Sequence, residues 1–152
     1  MEYRIIDVDE ACLEQIALIE QECFSLPWTV EQLRTQLKDK NHEFIAAVSG
    51  EKVLGYVGMM YVLDEGYISN VAVLKEFRKQ GIADALIDRL VEIALSHGLS
   101  FVSLEVRESN APAISLYSKH GFAPVGRRKN YYVLPKEDAI LMTTFLNRGA
   151  ET

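Results

Sequence analysis

The segment NVAVLKEFRKQGIA, from Asn70 to Ala83, is the part of this sequence most informative about its fold. It starts as an apolar strand, continues as a short polar loop and reaches Gly81 at the beginning of a long helical pattern. Free backbone N–H groups at a helix N-terminus, with the helix dipole behind them, form a site for an anion. Because Gly81 and Ala83 carry little or no side chain, a pyrophosphate can approach the backbone closely. Arg78 and Lys79 add positive charge, although the stretch alone also fits a solvated basic loop with a flexible turn.

Two common phosphate-binding motifs are absent from this stretch. It lacks the glycine-lysine-serine ending of a P-loop. It also lacks the G-x-G-x-x-G of a dinucleotide-binding turn, and the strand before it belongs to a predicted meander. Neither of those two nucleotide-binding folds is therefore predicted.

Strand and helix patterns surround the stretch on both sides. Apolar residues recur at helical spacing before and after it, and Thr29 with Gln32 resembles a capping box. Gly98 is placed to end one later helix, and Pro112 lies in the first turn of the next. We predict strands over 3–8, 43–49, 53–63, 67–73, 101–106, 121–125 and 139–145, and helices over 9–22, 29–37, 81–97 and 112–119.

The order of these elements predicts a single α/β domain over 1–152. Three consecutive strands, joined by turns at 50–52 and 64–66, form a predicted antiparallel meander. A strand–helix–strand unit in the second half implies a parallel pair, because such a crossover needs a helix between parallel strands. The expected fold class is α/β with a mixed, mostly antiparallel sheet flanked by helices, and residues 147–152 are expected to be frayed.

Composition excludes several classes of function. The 152 residues suffice for one buried core, and a formal charge of −6 argues against nucleic acid as the main partner. The N-terminus lacks the features of a signal peptide and no apolar run is long enough to span a bilayer. A cytoplasmic protein without a membrane partner is therefore expected. Cys12 and Cys23 are interpreted as reduced, packed side chains, and no cysteine pair or histidine cluster indicates a metal.

The central stretch resembles the acyl-CoA-binding motif of the GNAT acetyltransferase superfamily. The likeness rests on Val71-Ala72-Val73, on Arg78-x-x-Gly81-x-Ala83 opening a long helix, and on the order of strands and helices. It implies acetyl-CoA as cosubstrate, no metal, and a pantetheine arm hydrogen-bonded along the strand at Val71 and Val73. One departure is that members usually have glycine where Ala83 stands. The resemblance implies that the pyrophosphate is cradled by the amides of Lys79, Gln80, Gly81, Ile82, Ala83 and Asp84.

Glu105 is the candidate general base. It alternates with Leu104 and Val106 in an apolar strand, so it points to the opposite face of the sheet from them. A protein α-amine has a pKa of roughly 8, so at neutral pH most of it is protonated and cannot attack a thioester. A carboxylate within hydrogen-bond reach, directly or through one water, can take that proton. The pattern also allows a surface glutamate paired with Arg107.

Asn110 and Tyr117 follow in the segment NAPAISLY. Asn110 occupies an N-cap position, and this cap alone explains an asparagine there. Tyr117 fits ordinary core packing, but its phenol can also protonate the departing CoA thiolate. With a pKa of roughly 10 against about 8.5 for a thiol, the phenol would act as a delivered hydrogen bond more than as a strong acid.

One branch of the GNAT superfamily, the ribosomal-protein alanine N-acetyltransferases, is similar over essentially the whole chain. The resemblance implies that Glu105 accepts a proton, Tyr117 donates one and Asn110 contacts CoA. It also implies a protein N-terminus as acceptor, the N-terminal alanine of small-subunit ribosomal protein number eighteen. The likeness is carried by Phe24-x-x-Pro27-Trp28-Thr29, by the segment from Leu104-Glu105-Val106-Arg107 to Tyr117, and by Asn130-Tyr131-Tyr132 with Glu137-Asp138-Ala139.

The expected reaction is direct acetyl transfer in a ternary complex. No serine or cysteine has an evident nearby base, which a covalent acetyl-enzyme would need. A strand amide near Val71 is expected to polarise the thioester carbonyl. Trp28, Tyr131 and Tyr132 are predicted to wall the first residues of the acceptor, although aromatic packing that fixes loops explains them as well.

Three other functions stay open at the level of sequence. The same fold can acetylate a small amine, such as a polyamine, or an internal lysine. A non-catalytic acyl-CoA-binding module would bind CoA without turnover, and it is disfavoured because both proton-transfer residues are present. A plain structural domain would not bind CoA at all.

Overall fold

A seven-stranded sheet forms the centre of the computed structural model, which describes residues 2–146. The strands lie across the sheet in the order β1-β2-β3-β4-β5-β7-β6. The frayed end predicted for 147–152 lies outside the described residues. The strands are β1 Arg4–Asp7, β2 His42–Ser49, β3 Lys52–Val62, β4 Glu65–Val73, β5 Phe101–Arg107, β6 Ala123–Val133 and β7 Lys136–Phe145.

Four α-helices cover the sheet, and local capping fixes where two of them begin. Thr29 and Gln32 form the predicted capping box, each side chain accepting the backbone N–H of the other residue. Asn110 Oδ1 accepts the Ala113 N–H at 3.2 Å. Within residues 2–146, none of the helices is long and apolar enough to cross a lipid bilayer. The helices are α1 Leu13–Cys23, which follows a 3-10 turn at Glu10–Cys12, α2 Val30–Leu37, α3 Ile82–Ser96 and α4 Ala111–Lys119.

Alternation along β2 divides the core into two layers. Phe44, Ala46 and Val48 pack with α1 and α2 on one face of the sheet. Ile45 and Ala47 pack with α3 on the other face. Because successive side chains of a strand point to opposite faces, one apolar run supplies both layers. The helices on both sides of a mostly antiparallel sheet confirm the predicted fold class.

The sheet is split beside its parallel pair. β4 and β5 run parallel and are joined by α3, as the predicted crossover requires, but their pairing ends at Tyr67 opposite Ser103. Ser69 is an extra residue in β4, so the strand has a bulge just beyond the last pair. A bulge bends its strand and increases the local twist, so β4 diverges from β5. We call the resulting opening, between 68–73 and 104–107, the wedge.

Two predicted boundaries are wrong. The sixth strand does not end at Val125, because β6 continues to Val133 and forms a long hairpin with β7. Its charged residues are exposed at the edge of the sheet and two irregularities interrupt its pairing, so it shows no hydrophobic alternation. The turn predicted at 64–66 is shorter, since Glu65 and Gly66 already belong to β4.

Candidate active site

A groove of about 810 Å³ runs from the end of α1 along β4, past the start of α3, and along α4. Its lining includes every residue predicted to hold CoA except Gln80, which is exposed in the loop before α3. The groove therefore brings strand, loop and helix mouth together as expected. The predicted residues that line it are Val71, Ala72, Val73, Arg78, Lys79, Gly81, Ile82, Ala83, Asp84, Asn110 and Tyr117.

The mouth of α3 presents free backbone donors to this groove. The first hydrogen bond of the helix runs from the Ala85 N–H to the Gly81 carbonyl, so the N–H groups of 82–84 have no intrahelical partner. Lys79 and Gly81 adopt positive φ angles of 64° and 82°, a conformation that costs glycine little and lysine more. A Cβ on Gly81 would meet nothing within 4 Å, so glycine is needed for its conformation. These donors and the helix dipole favour an anion at this end of the groove.

Three charged side chains near the helix mouth, those of Arg78, Asp84 and Lys119, bind groups of the groove wall. Arg78 Nε donates to the Val73 carbonyl at 3.0 Å. Lys119 Nζ lies 2.8 Å and His120 Nε2 lies 2.9 Å from Asp84 Oδ1. The hydrogen bond from Lys119, followed by that from His120, lowers the pKa of Asp84. The backbone N–H groups of the helix mouth are therefore the donors best placed for a phosphate.

Tyr117 contributes a buried phenol to the α4 side of the groove. Its side chain is 8% exposed, and its ring packs against Phe122 with the centroids 5.9 Å apart. Burial, and then the neighbouring Tyr132, raises the pKa of Tyr117 above its ordinary value. The phenol is therefore protonated throughout the neutral pH range.

Glu105 lies on β5 at the wedge. As predicted, it faces away from its apolar neighbours in the strand, which are buried in the core. The Glu105 side chain is 23% exposed, and Arg128 Nε lies 3.3 Å from Glu105 Oε2. The alternative pairing with Arg107 is wrong, because Arg107 pairs with Glu137 at 3.2 Å.

Three phenols are close enough to Glu105 for its charge to affect their pKa values. Burial, and then this charge, raises the pKa of Tyr131. Burial, and then Tyr131, raises the pKa of Tyr132 to about 12, and Glu105 adds to the shift. The pKa of Tyr67 is raised first by a hydrogen bond to a nearby glutamate, with Glu105 contributing. Tyr131 and Tyr132 also pack edge to face, with their ring centroids 5.0 Å apart.

A wide bulge in β6 sets the positions of Tyr131 and Tyr132. Residues 129–131 lie opposite the single residue Asp138 of β7. Asn130, at a φ of 56°, donates its N–H to Asp138 Oδ1 at 2.8 Å. This bond is the largest cause of the lowered pKa of Asp138. The carboxylate thus fixes the bulge from the opposite strand.

Arg107, at the end of β5, contacts both Tyr132 and the β6–β7 hairpin turn. Its guanidinium carbon lies 4.3 Å from the centroid of the Tyr132 ring. It also donates to the Leu134 carbonyl at 3.0 Å and to the Pro135 carbonyl at 2.9 Å, besides pairing with Glu137. The acidic pair at 137–138 and the tyrosine pair at 131–132 are therefore parts of one hydrogen-bonded hairpin.

The segment between α1 and α2 reaches from the groove to this hairpin. Phe24 lines the groove, and Ser25 Oγ donates to the Leu134 carbonyl of the hairpin turn. Trp28 is half-buried and packs against the core layer beneath α1, and it is not part of the groove lining. A wall for the acceptor made by Trp28 stays a prediction.

Several residues of the site were not found from the sequence. Tyr67 at the wedge depends on the bulge at Ser69, which leaves no pattern in the sequence. The groove-facing side of α4 could have been found, because those residues recur at helical spacing around Tyr117. The groove residues that the sequence missed are Cys23, Phe24, Phe77, Pro112, Ala113, Ser115, Leu116 and Lys119.

A metal site in residues 2–146 would need side chains that bind metal ions in proteins to lie close together. Over residues 2–146, no group of three or more histidine, cysteine, aspartate or glutamate side chains is placed to hold a metal ion.

Comparisons with known proteins agree with this geometry. Residues 13–122 match the model of the acetyltransferase (GNAT) family. The chain is similar to the [ribosomal protein bS18]-alanine N-acetyltransferase of Escherichia coli (strain K12), with 34% identity over 126 residues, 82% of this chain and 84% of that protein. The crystal structure of the ribosomal-protein-S18-alanine N-acetyltransferase from Escherichia coli superposes with a TM-score of 0.87 and 29% identity, covering 95% of this chain and 94% of that one. Arabidopsis thaliana NAA60 in complex with a bisubstrate analogue gives 0.89 and 25% identity, covering 96% and 99%.

Proposed function

The chain belongs to the acetyltransferase (GNAT) family, and from that premise we propose that it acetylates the N-terminal α-amine of a protein. The acetyl donor is acetyl-CoA. The acceptor is the N-terminal alanine of ribosomal protein bS18, the substrate in the name of the Escherichia coli relative. The proposal takes residues 1–152 as one domain that works in the cytoplasm without contacting nucleic acid or membrane.

The observation that carries the proposal is the junction of groove and wedge. The groove is lined both by the start of α3, with its free N–H groups of 82–84, and by Tyr117. The wedge opens beside 71–73 of β4, which also line the groove, and Glu105 lies on β5 across that opening. A donor held in the groove and an amine held in the wedge therefore meet near the diverging strands, which reduces the entropic cost of reaction.

The residues that hold the acetyl donor fit its chemical groups. The N–H groups at the mouth of α3 suit a pyrophosphate, and 71–73 of β4 have a backbone edge that β5 leaves unpaired. A strand amide near Val71 is assigned to polarise the thioester carbonyl. Asn110 caps α4 and lines the groove, and we assign it as a CoA contact.

Two proton transfers accompany the acetyl transfer. Glu105 takes a proton from the acceptor's ammonium, directly or through one water, because only the free amine attacks the thioester carbon. The new C–N bond forms as the C–S bond breaks, Tyr117 shares its proton with the departing sulfur, and the second proton that the nitrogen loses restores the phenol through solvent. Because burial raises the pKa of Tyr117, its phenol holds this proton at neutral pH but is a weak acid. It therefore stabilises the thiolate mainly as a hydrogen-bond donor.

A panel of acceptors tests the proposal with the purified protein. Release of CoA thiol is followed with a bS18 N-terminal peptide beginning with alanine, the same peptide already acetylated, a polyamine, and a peptide whose only amine is an internal lysine. We expect turnover with the free N-terminus alone. Faster turnover with the polyamine or the lysine peptide would show that the acceptor is a small amine or a lysine and not a protein N-terminus. CoA binding without turnover on any amine would contradict the enzymatic assignment.

A further inference from the structure

Glu20 on α1 is a buried carboxylate that the proposed reaction does not use. It is 1% exposed, and none of the ion pairs found in residues 2–146 includes it. Its Oε1 accepts the Trp28 N–H at 2.8 Å. Its Oε2 accepts the Tyr56 hydroxyl and the Asn70 side-chain amide. Three donors from three different parts of the chain therefore converge on one carboxylate.

Burying a carboxylate in this position costs free energy, which its hydrogen bonds must offset. Burying a charge without a cation costs far more than burying an apolar side chain of similar size. Burial, followed by the charge of Glu20, raises the pKa of Tyr56, so the phenol stays a donor to the carboxylate. An apolar side chain at this position would leave the donors of Trp28, Tyr56 and Asn70 without this acceptor, so the hydrogen bonds explain the residue better than packing does.

The three donors connect both sides of the proposed site. Asn70 lies directly after the β4 bulge and directly before 71–73, the part of the strand that lines the groove. Trp28 ends the segment 24–28, whose other end lines the groove at Phe24 and which Ser25 ties to the hairpin turn. Glu20 thus joins this segment to the strand on which the acetyl donor is proposed to lie.

We propose that Glu20 is a positioning residue that holds the segment 24–28 against β4 and so sets the width of the acceptor cleft. The role rests on the proposed function, because it concerns the binding of the acceptor's first residues. Loss of the carboxylate frees the Trp28 N–H and the segment that carries it. The reacting groups Glu105 and Tyr117 lie on β5 and α4, which Glu20 does not contact through these bonds.

Glu20→Ala tests the proposal, with Tyr56→Phe as the matched control. Tyr56→Phe removes one hydrogen bond to the same carboxylate but leaves the bond to Trp28 intact. We expect Glu20→Ala to raise the KM of the alanine peptide at least tenfold, with kcat and the Kd of acetyl-CoA within threefold of wild type. Tyr56→Phe lowers the melting temperature but leaves the peptide KM within twofold.

Fluorescence gives a second readout that needs no acceptor. Trp28 is the only tryptophan in the sequence, so acrylamide quenching reports on this segment directly. We expect quenching to rise in Glu20→Ala and to stay at the wild-type level in Tyr56→Phe. If wild type turns over no peptide, the proposed function fails while the quenching results still test the role of Glu20.

Three outcomes would overturn the positioning role. An equal rise of KM in Tyr56→Phe would mean that the network only stabilises the core. Unchanged KM and quenching in Glu20→Ala would remove Glu20 from the site. If Glu20→Ala does not fold, Glu20→Met takes its place because it keeps a similar volume but removes both acceptor oxygens. Wild-type quenching and KM in that variant would also contradict the proposal.

Discussion

At the scale of single residues, Glu105 and Arg128 form the ion pair closest to the proposed reaction. The Arg128 side chain is 55% exposed, so solvent screens the ion pair and weakens it. The ammonium of an incoming acceptor can therefore replace Arg128 at the carboxylate. The phenols of Tyr131 and Tyr132, both with raised pKa values, stay neutral in this exchange.

Glu105→Gln should lower kcat about a hundredfold or more at neutral pH, because the amide cannot accept the ammonium proton. The Kd of acetyl-CoA, measured by calorimetry, should stay within twofold, since the groove lining does not include Glu105. Glu108→Gln is the control, because it makes the same change from carboxylate to amide in a glutamate that pairs with Arg127, at 2.7 Å, and not with Arg128. Equal losses of CoA binding and turnover would remove Glu105 as the base.

The buried phenol of Tyr117 makes a prediction about pH. Its folded pKa is raised, so its protonated form persists to higher pH than in a free tyrosine. The rate of thiol release should therefore show no alkaline decline below a pH of about 10, the ordinary tyrosine pKa. Tyr117→Phe should lower kcat at least tenfold across that range. A decline centred near pH 8 to 9 that disappears in Tyr117→Phe would contradict this assignment.

At the scale of elements, the start of α3 depends on the left-handed conformation of Gly81. Gly81→Ala should destabilise the protein by about 1 kcal/mol, since a Cβ disfavours positive φ, and should weaken acetyl-CoA binding. Gly50→Ala is a matched control, because Gly50 also has a positive φ of 60° and open space, but lies in the β2–β3 turn. Denaturant melts and calorimetry should show similar stability losses and a weaker Kd only for Gly81→Ala. Equal CoA affinity in both variants would count against the helix mouth as the phosphate site.

The β6 bulge makes a separate prediction about the acceptor. Asp138→Ala removes the acceptor of the Asn130 N–H, so the bulge that contains Tyr131 and precedes Tyr132 should loosen. We expect kcat/KM for the alanine peptide to fall at least tenfold, with acetyl-CoA affinity unchanged. Glu92→Ala, which removes an exposed carboxylate paired with Arg89 on α3, should leave both at wild-type values. Wild-type kcat/KM in Asp138→Ala would mean that the bulge does not shape the acceptor site.

The same elements show why sequence predicted some parts of the site better than others. The α3 mouth and both capped helices were predicted because glycine, threonine and asparagine have local conformational roles. The bulges at Ser69 and at 129–131 were missed, because a bulge depends on pairing with a distant strand. The prediction ended the exposed strand β6 too early for a similar reason, since the charged residues of this strand show no hydrophobic alternation.

At the scale of the whole molecule, the wedge is a product of topology. A parallel pair that separates after Tyr67 leaves the ends of β4 and β5 apart in the middle of the sheet. The helix α3 then delivers its N-terminus to one side of that opening, and α4 delivers Tyr117 to the groove beside it. Sequence alone predicted the order of strands and helices, but the depth of the opening depends on where the pairing stops.

A structure with CoA and the alanine peptide bound measures this arrangement most directly. We expect the pyrophosphate on the N–H groups of 82–84, the pantetheine along 71–73, and the peptide amine within hydrogen-bond reach of Glu105, directly or through one water. CoA bound outside the groove, or a Glu105 carboxylate directed away from the sulfur, would contradict the central claim that groove and wedge form one active site.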